Sequence, residues 1–168
     1  PAAIGACLGN GRPTICLAGD GSFMMNLQEL QTVVHRQLPI KIFLLDNNGY
    51  GSIKQTQSNF FGNELIGCDG PSGVSFPDFR RVAAAFGIPD CEIADQTELT
   101  EKIDAVLSMP GPVLCVVRMP DHLPFAPKLS SKKLPDGRMI SKPLEDLYPF
   151  LDREEFRSNM IIEPELEE

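Results

Sequence analysis

Residues Ile40 to Leu45 read IKIFLL, an almost unbroken apolar run between Pro39 and the polar stretch Asp46-Asn47-Asn48. The run is too short for a buried helix, and its β-branched and aromatic content suits a strand. A strand of this kind has no solvated face. It needs helices packed on both sides, which is the setting of a parallel sheet in an α/β domain. Two more runs of the same type, Thr14 to Ala18 (TICLA) and Pro112 to Arg118 (PVLCVVR), lie to either side in sequence, and Cys91-Glu92-Ile93 reads as a weaker strand. Helical patterns alternate with them. An opening piece covers Ala2 to Leu8, and Ser22 to about Gln37 carries Phe23, Leu27, Leu30, Val33 and Val34 at helical spacing. A short helix runs from Ile53 towards Phe60, another from Phe79 to Phe86 ending at Gly87, and a last one from Thr97 to Met109 with Thr97 as N-cap. The expected fold over residues 1–118 is a doubly wound, mostly parallel α/β sheet with helices on both faces.

Residues 119–168 differ in character. Prolines and charges become frequent, and only Arg153 to Met160 has a helical pattern. Leu144, Leu147, Tyr148, Phe150 and Leu151 make this stretch too apolar for a disordered tail, so an irregular tail packed on the domain or on a neighbour is expected. Residues 62–77, rich in Gly, Pro, Asn and Asp, read as a long loop of the functional kind. The net charge of −8 offers no basic face for nucleic acid; residues 151–168 carry −5 of it. No apolar run nears the ~20 residues that cross a bilayer, so no membrane partner is expected. The cysteines (Cys7, Cys16, Cys68, Cys91, Cys115) have neither CxxC nor metal-ligand spacing, which fits small buried thiols in a reduced, cytoplasmic protein. The chain opens at Pro1, inside a helical pattern, and is expected to be part of a longer protein.

Gly19-Asp20-Gly21-Ser22 follows the first strand run, at the edge where open parallel sheets bind ligands. Glycines let the backbone approach an anion closely, and the following helix offers its N-terminal N–H groups. Yet Asp20 sets a negative charge where a phosphate would sit. A divalent cation between the two removes the conflict, since Mg²⁺ takes one or two protein carboxylates together with phosphate oxygens. Asn47 ends the next strand, one crossover later. If the two strands are neighbours, their ends lie only ~4.8 Å apart, close enough for Asp20 and Asn47 to grip one ion. Neither GxGxxG nor GxxxxGK[ST] is present. His35 falls near a helix end, where a structural role against the dipole is expected; His122 falls on the ligand edge after the last strand. Met24 and Met25 read as core filling.

The stretch from Gly19-Asp20-Gly21 through Asp46-Asn47-Asn48 resembles the thiamine diphosphate signature, GDG followed after some 25 to 30 residues by NN. "GDGSFMMNLQELQTVVHRQLPIKIFLLDNNGYGSIKQTQ" is similar to the diphosphate-binding domain of the acetolactate synthase-like branch of these enzymes, and "PAAIGACLG" to the helix before it. The resemblance covers residues 1–118. It implies two cofactors, thiamine diphosphate and Mg²⁺. The ion would be held by the side chains of Asp20 and Asn47 and the backbone carbonyl of Gly49. The cofactor would be met by Gly19, Gly21 and Ser22, helped by the Tyr50-Gly51-Ser52 turn. "DNN" allows Asn47 or Asn48 as ligand, and an ungapped count from Asp20 favours Asn47. Asp46 replaces the family's first asparagine; it either tunes the ion's field or caps the turn, and the capping reading is preferred.

In this family the cofactor removes CO₂ from a 2-keto acid and either releases an aldehyde or joins the remainder to a second carbonyl. The implied parent is an acetolactate synthase-like enzyme, with a 2-keto acid decarboxylase or C–C lyase, or a non-catalytic Mg–diphosphate-binding homologue, as alternatives. The activating glutamate would come from an upstream pyrimidine-binding domain, usually of a partner subunit, so the parent is expected to be a homodimer or homotetramer. Glu29, Glu64 and Glu92 do not match that glutamate, no catalytic residue is assigned, and this chain alone is expected to be inactive. Thr56 stands where acetolactate synthases carry a tryptophan that shapes the acceptor pocket, which puts acetolactate synthesis itself in doubt. Lys132, Lys133 and Arg138 could meet an acidic substrate, but ordinary surface charge is the preferred reading.

Overall fold

A computed structural model describes residues 1–121, 123, 125–133 and 136–162, with Lys132 and Lys133 described by their backbone. The expectations for His122 and for the side chains of Lys132 and Lys133 therefore lie outside the described residues. The chain divides into two compact units, Pro1–Leu123 and Pro124–Glu168.

The first unit runs α1 (Ala2–Asn10), β1 (Thr14–Gly19), α2 (Asp20–Met24), α3 (Glu29–His35), β2 (Ile40–Asp46), α4 (Gly51–Phe60), α5 (Phe79–Ala85), β3 (Asp90–Ile93), α6 (Leu99–Ser108) and β4 (Val113–Arg118). Its four strands are parallel, in the order β1-β2-β4-β3. The IKIFLL run explains the layering. Ile40, Ile42 and Leu44 point to a core built with Cys7, Phe23, Leu30, Val33, Phe79 and Ala83, from α1, α2, α3 and α5. Phe43 points to the other side, where Val113, Cys115 and Ile93 meet Ile103 and Val106 of α6. Both faces of β2 are thus covered, as a parallel strand requires.

The one charge in that run is accounted for. Lys41 is buried, and its ammonium donates to the carbonyls of Met109 (2.5 Å) and Gly111 (2.6 Å) just past the end of α6. Those carbonyls lack helical partners, and the negative end of the helix dipole favours a cation there. Cys115 is fully buried beside its register partner Cys91; burial pushes its thiol up to about 12, which keeps it protonated and inert.

Three local expectations are corrected. The helix expected over Ser22 to Gln37 begins at Asp20 and divides into α2 and α3, joined by residues whose N–H groups bond three residues back (Asn26 to Phe23, Glu29 to Asn26, Leu30 to Leu27). That tightening turns Met25 outward to 68% exposure, while Met24 packs partly on the core. Thr97 is not the N-cap of the last helix. Asp95 caps a short 3₁₀ turn over Gln96–Glu98 instead, accepting the Thr97 N–H at 2.7 Å, and α6 follows directly. His35 is the last residue of α3 and is exposed.

The second unit is more ordered than an irregular tail. β5 (Ser131–Lys133) and β6 (Met139–Ser141) form an antiparallel hairpin, and α7 (Arg153–Asn159) is capped by Asp152. Buried Asp146 is gripped by both terminal nitrogens of Arg153 at 2.9 Å, with Lys142 at 3.3 Å. Arg138 pairs with Asp136 at 2.7 Å on the exposed surface, in keeping with ordinary surface charge. Among the described residues no helix is long and apolar enough to cross a membrane.

Candidate functional site

β1 and β2 are neighbours in register, Gly19 opposite Leu45, so the residues that follow each strand meet at one edge of the sheet. Asp20 is the first residue of α2 and is 1% exposed. Its carboxylate accepts three backbone N–H groups: Gly21 at 2.6 Å on Oδ1, and Asn47 at 3.2 Å and Gly49 at 3.1 Å on Oδ2. Burial raises its proton affinity above the ordinary carboxylate range, and the three donors oppose that rise. The side chain is thereby fixed against the loop after β2.

The Asn47 amide faces the same point. One of its terminal atoms lies 3.2 Å from Asp20 Oδ2 and 3.0 Å from the Gly49 carbonyl oxygen. An NH₂ group there bonds both acceptors. An oxygen there makes a cluster of three oxygens, from a carboxylate, an amide and a carbonyl, which is the donor chemistry of a hard cation. The spacing suits the smaller of the common ions: adjacent ligands of an octahedron with Mg–O of ~2.1 Å lie about 3.0 Å apart. These residues fit Mg²⁺. Asn48 takes a left-handed backbone (φ 56°), which asparagine tolerates, and its amide turns away to donate to Asp121 at 3.2 Å. Asp46, beside Asn47, points its carboxylate at Arg118 and accepts the Asn48 N–H at 3.4 Å.

Gly19 caps α2 and Gly21 is buried in it, while Ser22 is exposed next to them. The expected Tyr50-Gly51-Ser52 turn is the start of α4, with Tyr50 at the N-cap and the Gly51 N–H bonded to the Gly49 carbonyl at 3.2 Å. Both glycines flanking the cluster are required by contact. A Cβ on Gly21 would stand 2.2 Å from the Tyr50 ring, and one on Gly49 would stand 2.5 Å from the Cys68 carbonyl oxygen. Tyr50 in turn packs edge-on to Phe76, and Phe76 on Phe79, which ties this edge of the sheet to the core.

The 62–77 loop contributes a clamp that sequence reasoning flagged only as a loop. The Tyr50 N–H donates to the Cys68 carbonyl at 2.8 Å, and Gly49 bridges to Asp69. The Asp69 carboxylate binds Lys54 of α4 at 2.7 Å and accepts the Ser72 hydroxyl (2.7 Å) and N–H (3.1 Å). Lys54, and then Ser72, hold its carboxyl down at about 2. A depressed value means the clamp is complete above the unfolded carboxyl's ordinary range and is lost as pH falls from about 4 through about 2. A carbon-detected NMR titration is expected to find the Asp69 midpoint near 2, and Lys54→Met to move it up towards the ordinary carboxylate value. Beside the clamp lies a polar cavity of about 290 Å³, walled by Asn47, Asn48, Gly49, Lys54, Asp69 and Asp121. Thr56 spends its hydroxyl on the Ser52 carbonyl of its own helix, at 3.0 Å. Glu29 opens α3 and accepts the Thr32 hydroxyl, Glu64 is exposed, and Glu92 pairs with Arg118 and Arg80.

Residues 1–117 match the family described as thiamine pyrophosphate enzyme, C-terminal TPP binding domain; thiamine pyrophosphate is thiamine diphosphate. Among similar proteins, the acetolactate synthase isozyme 1 large subunit of Escherichia coli K12 is 37% identical over 120 residues, 71% of this chain and 21% of that one. The isozyme 2 large subunit of the same organism is 40% identical over 148 residues, 88% of this chain and 26% of that one. A solved benzoylformate decarboxylase from Polynucleobacter necessarius superposes with a TM-score of 0.61 at 28% identity, over 73% of this chain and 22% of that chain. The chain spans about a fifth to a quarter of the length of the relatives it matches.

Proposed function

Because the chain belongs to the thiamine pyrophosphate enzyme family, as the C-terminal cofactor-binding domain of an acetolactate synthase-like protein, we propose that it holds thiamine diphosphate through Mg²⁺ in a parent enzyme acting on 2-keto acids. The observation that supports the reading most is the meeting of Asp20 Oδ2, the Asn47 amide and the Gly49 carbonyl at one point of the sheet edge. When bound, the cofactor supplies the means to remove CO₂ from a 2-keto acid and to pass on the carbon unit that remains. The chain's own residues bind and orient. Asp20 brings the one negative charge of the ion site, and Asn47 and Gly49 complete it with neutral oxygens. Ser22, Gly51 and Ser52, with the backbone at Gly21, would hold the diphosphate, whose charge would be favoured near the N–H groups that the first turn of α4 leaves without helical acceptors. The Lys54–Asp69–Ser72 clamp keeps the Gly49 turn in place.

No residue of this chain is assigned to catalysis. The activating glutamate belongs, in this proposal, to an upstream pyrimidine-binding domain, supplied by a partner subunit of a homodimeric or homotetrameric parent. The five free cysteines fit a reducing compartment, and a cytoplasmic parent is part of the proposal. Carbon–carbon bond formation is the first reading of the reaction, and a decarboxylase or C–C lyase is the second. The second is favoured by the likeness to a benzoylformate decarboxylase and by Thr56, which offers no aromatic wall. Assay of the full-length parent with 2-keto acids tests both. CO₂ release that needs thiamine diphosphate and Mg²⁺, with acetolactate-type or aldehyde product telling the readings apart, is expected, and the purified 168-residue chain is expected to be silent. A parent that leaves every 2-keto acid intact with both cofactors present, or turnover by the 168-residue chain alone, would contradict the proposal.

A further inference from the structure

The ion site has a second carboxylate beside it that does not join the oxygen cluster. Asp46 immediately precedes Asn47, is 5% exposed, and stands one residue past the Gly19–Leu45 register pair, as Asp20 does just after the neighbouring strand. It is held away by Arg118, its register partner on β4. The same guanidinium reaches Glu92 on the far side, Nε to Oε1 at 2.9 Å, and Arg80 of α5 ties Glu92 to Asp90, so a row of alternating charges runs from the carboxyl ends of β2 and β4 back to the start of β3. A buried carboxylate stripped of its cationic partner keeps a charge that nothing nearby balances.

We propose that Arg118 is a positioning residue that sets the charge of the ion site: by engaging Asp46 it leaves Asp20 as the single carboxylate acting on the cation, which selects a cation carrying a diphosphate over a bare cation. The inference rests on the Mg–diphosphate reading above. Two opposed demands give it a sign. A bare divalent ion gains from a second negative charge nearby, whereas an ion that arrives with a polyanion attached is repelled by it. Freeing Asp46 therefore strengthens one kind of binding and weakens the other. Structural damage weakens both.

The test uses the full-length parent protein and two probes, Mn²⁺ alone by electron paramagnetic resonance and thiamine diphosphate at saturating Mg²⁺ by calorimetry. The Arg118 side chain is 42% exposed, so water screens the effect and the expected changes are about three- to tenfold. Arg118→Gln is expected to tighten Mn²⁺ and loosen thiamine diphosphate. Asp46→Asn moves Mn²⁺ the opposite way, which keeps the sign test available if Arg118→Gln folds poorly. The double variant Asp46→Asn/Arg118→Gln returns both affinities to within about twofold of the starting protein. If Arg118→Gln weakens both probes, or changes neither, or if Asp46→Asn tightens Mn²⁺, the inference is overturned while the Mg–diphosphate reading stands. A parent protein that binds neither probe overturns both.

Discussion

Asp20→Asn in the full-length parent is expected to lower Mg²⁺-dependent affinity for thiamine diphosphate by on the order of a hundredfold or more. The carboxylate does two jobs at once. It supplies the only charge on the oxygen cluster, and it anchors the turn after β2 through the N–H groups of Asn47 and Gly49. An amide keeps one acceptor oxygen and places an NH₂ where the other stood, so the charge is lost together with one backbone bond at Oδ1 or two at Oδ2. Asp20→Ala goes further and leaves three backbone donors, the Gly21 and Gly49 N–H groups buried and that of Asn47 half-buried, without that acceptor. Calorimetry with and without Mg²⁺ reads the loss, and circular dichroism is expected to show both variants folded. Unchanged affinity in Asp20→Asn would remove the ion from this edge.

Gly49→Ala is expected to be nearly as damaging, although it adds one methyl group and touches no charge. The new Cβ would sit 2.5 Å from the Cys68 carbonyl oxygen and 3.4 Å from Asp69 Cβ. The first of these neighbours is backbone, held by the Tyr50 N–H, so it cannot swing aside as a side-chain tip would. Either the Gly49 turn or the 68–72 loop moves, and the Gly49 carbonyl moves with it. Cofactor affinity is expected to fall about tenfold or more, with a stability loss of roughly 1–3 kcal/mol, typical of forcing atoms into a packed site. Gly5→Ala, in α1 with open space around the new Cβ, serves as the control and leaves binding unchanged. Chemical denaturation together with the same calorimetric titration separates the two effects.

The parts of the molecule that could be read in advance are those written in short, periodic or contiguous stretches. IKIFLL carries its own account of a strand covered on both faces, and the GDG turn and Asn47 sit at the ends of consecutive strand runs. Sheet adjacency then brings them together without further information. What escaped depends on partners far along the chain. Lys54 meets Asp69 fifteen residues on, and Asp46 meets Arg118 seventy-two residues on, through a register that no local pattern encodes. The division of the expected Ser22 to Gln37 helix is also tertiary in origin. Periodicity continues across it, while Asp20 is drawn into the first turn by its bonds to the opposite loop. Asp95 is a different kind of miss. Asp95 and Glu98 have the spacing of a helix-start signal, so the cap at Asp95 is written in the local sequence and Thr97 is the poorer candidate. The hairpin of β5 and β6 lay hidden in a stretch whose prolines and charges suppress the alternation by which strands are recognised.

The central claim is that Asp20, Asn47 and Gly49 together hold one divalent ion for a diphosphate. A crystal structure of the full-length parent with thiamine diphosphate and Mn²⁺, with data collected at the manganese edge, tests it most directly. The account predicts an anomalous peak within about 2.3 Å of Asp20 Oδ, Asn47 Oδ1 and the Gly49 carbonyl oxygen, with diphosphate oxygens completing the octahedron. A diphosphate bound at this edge with no peak there, or a peak that leaves any of the three oxygens unliganded, would contradict it.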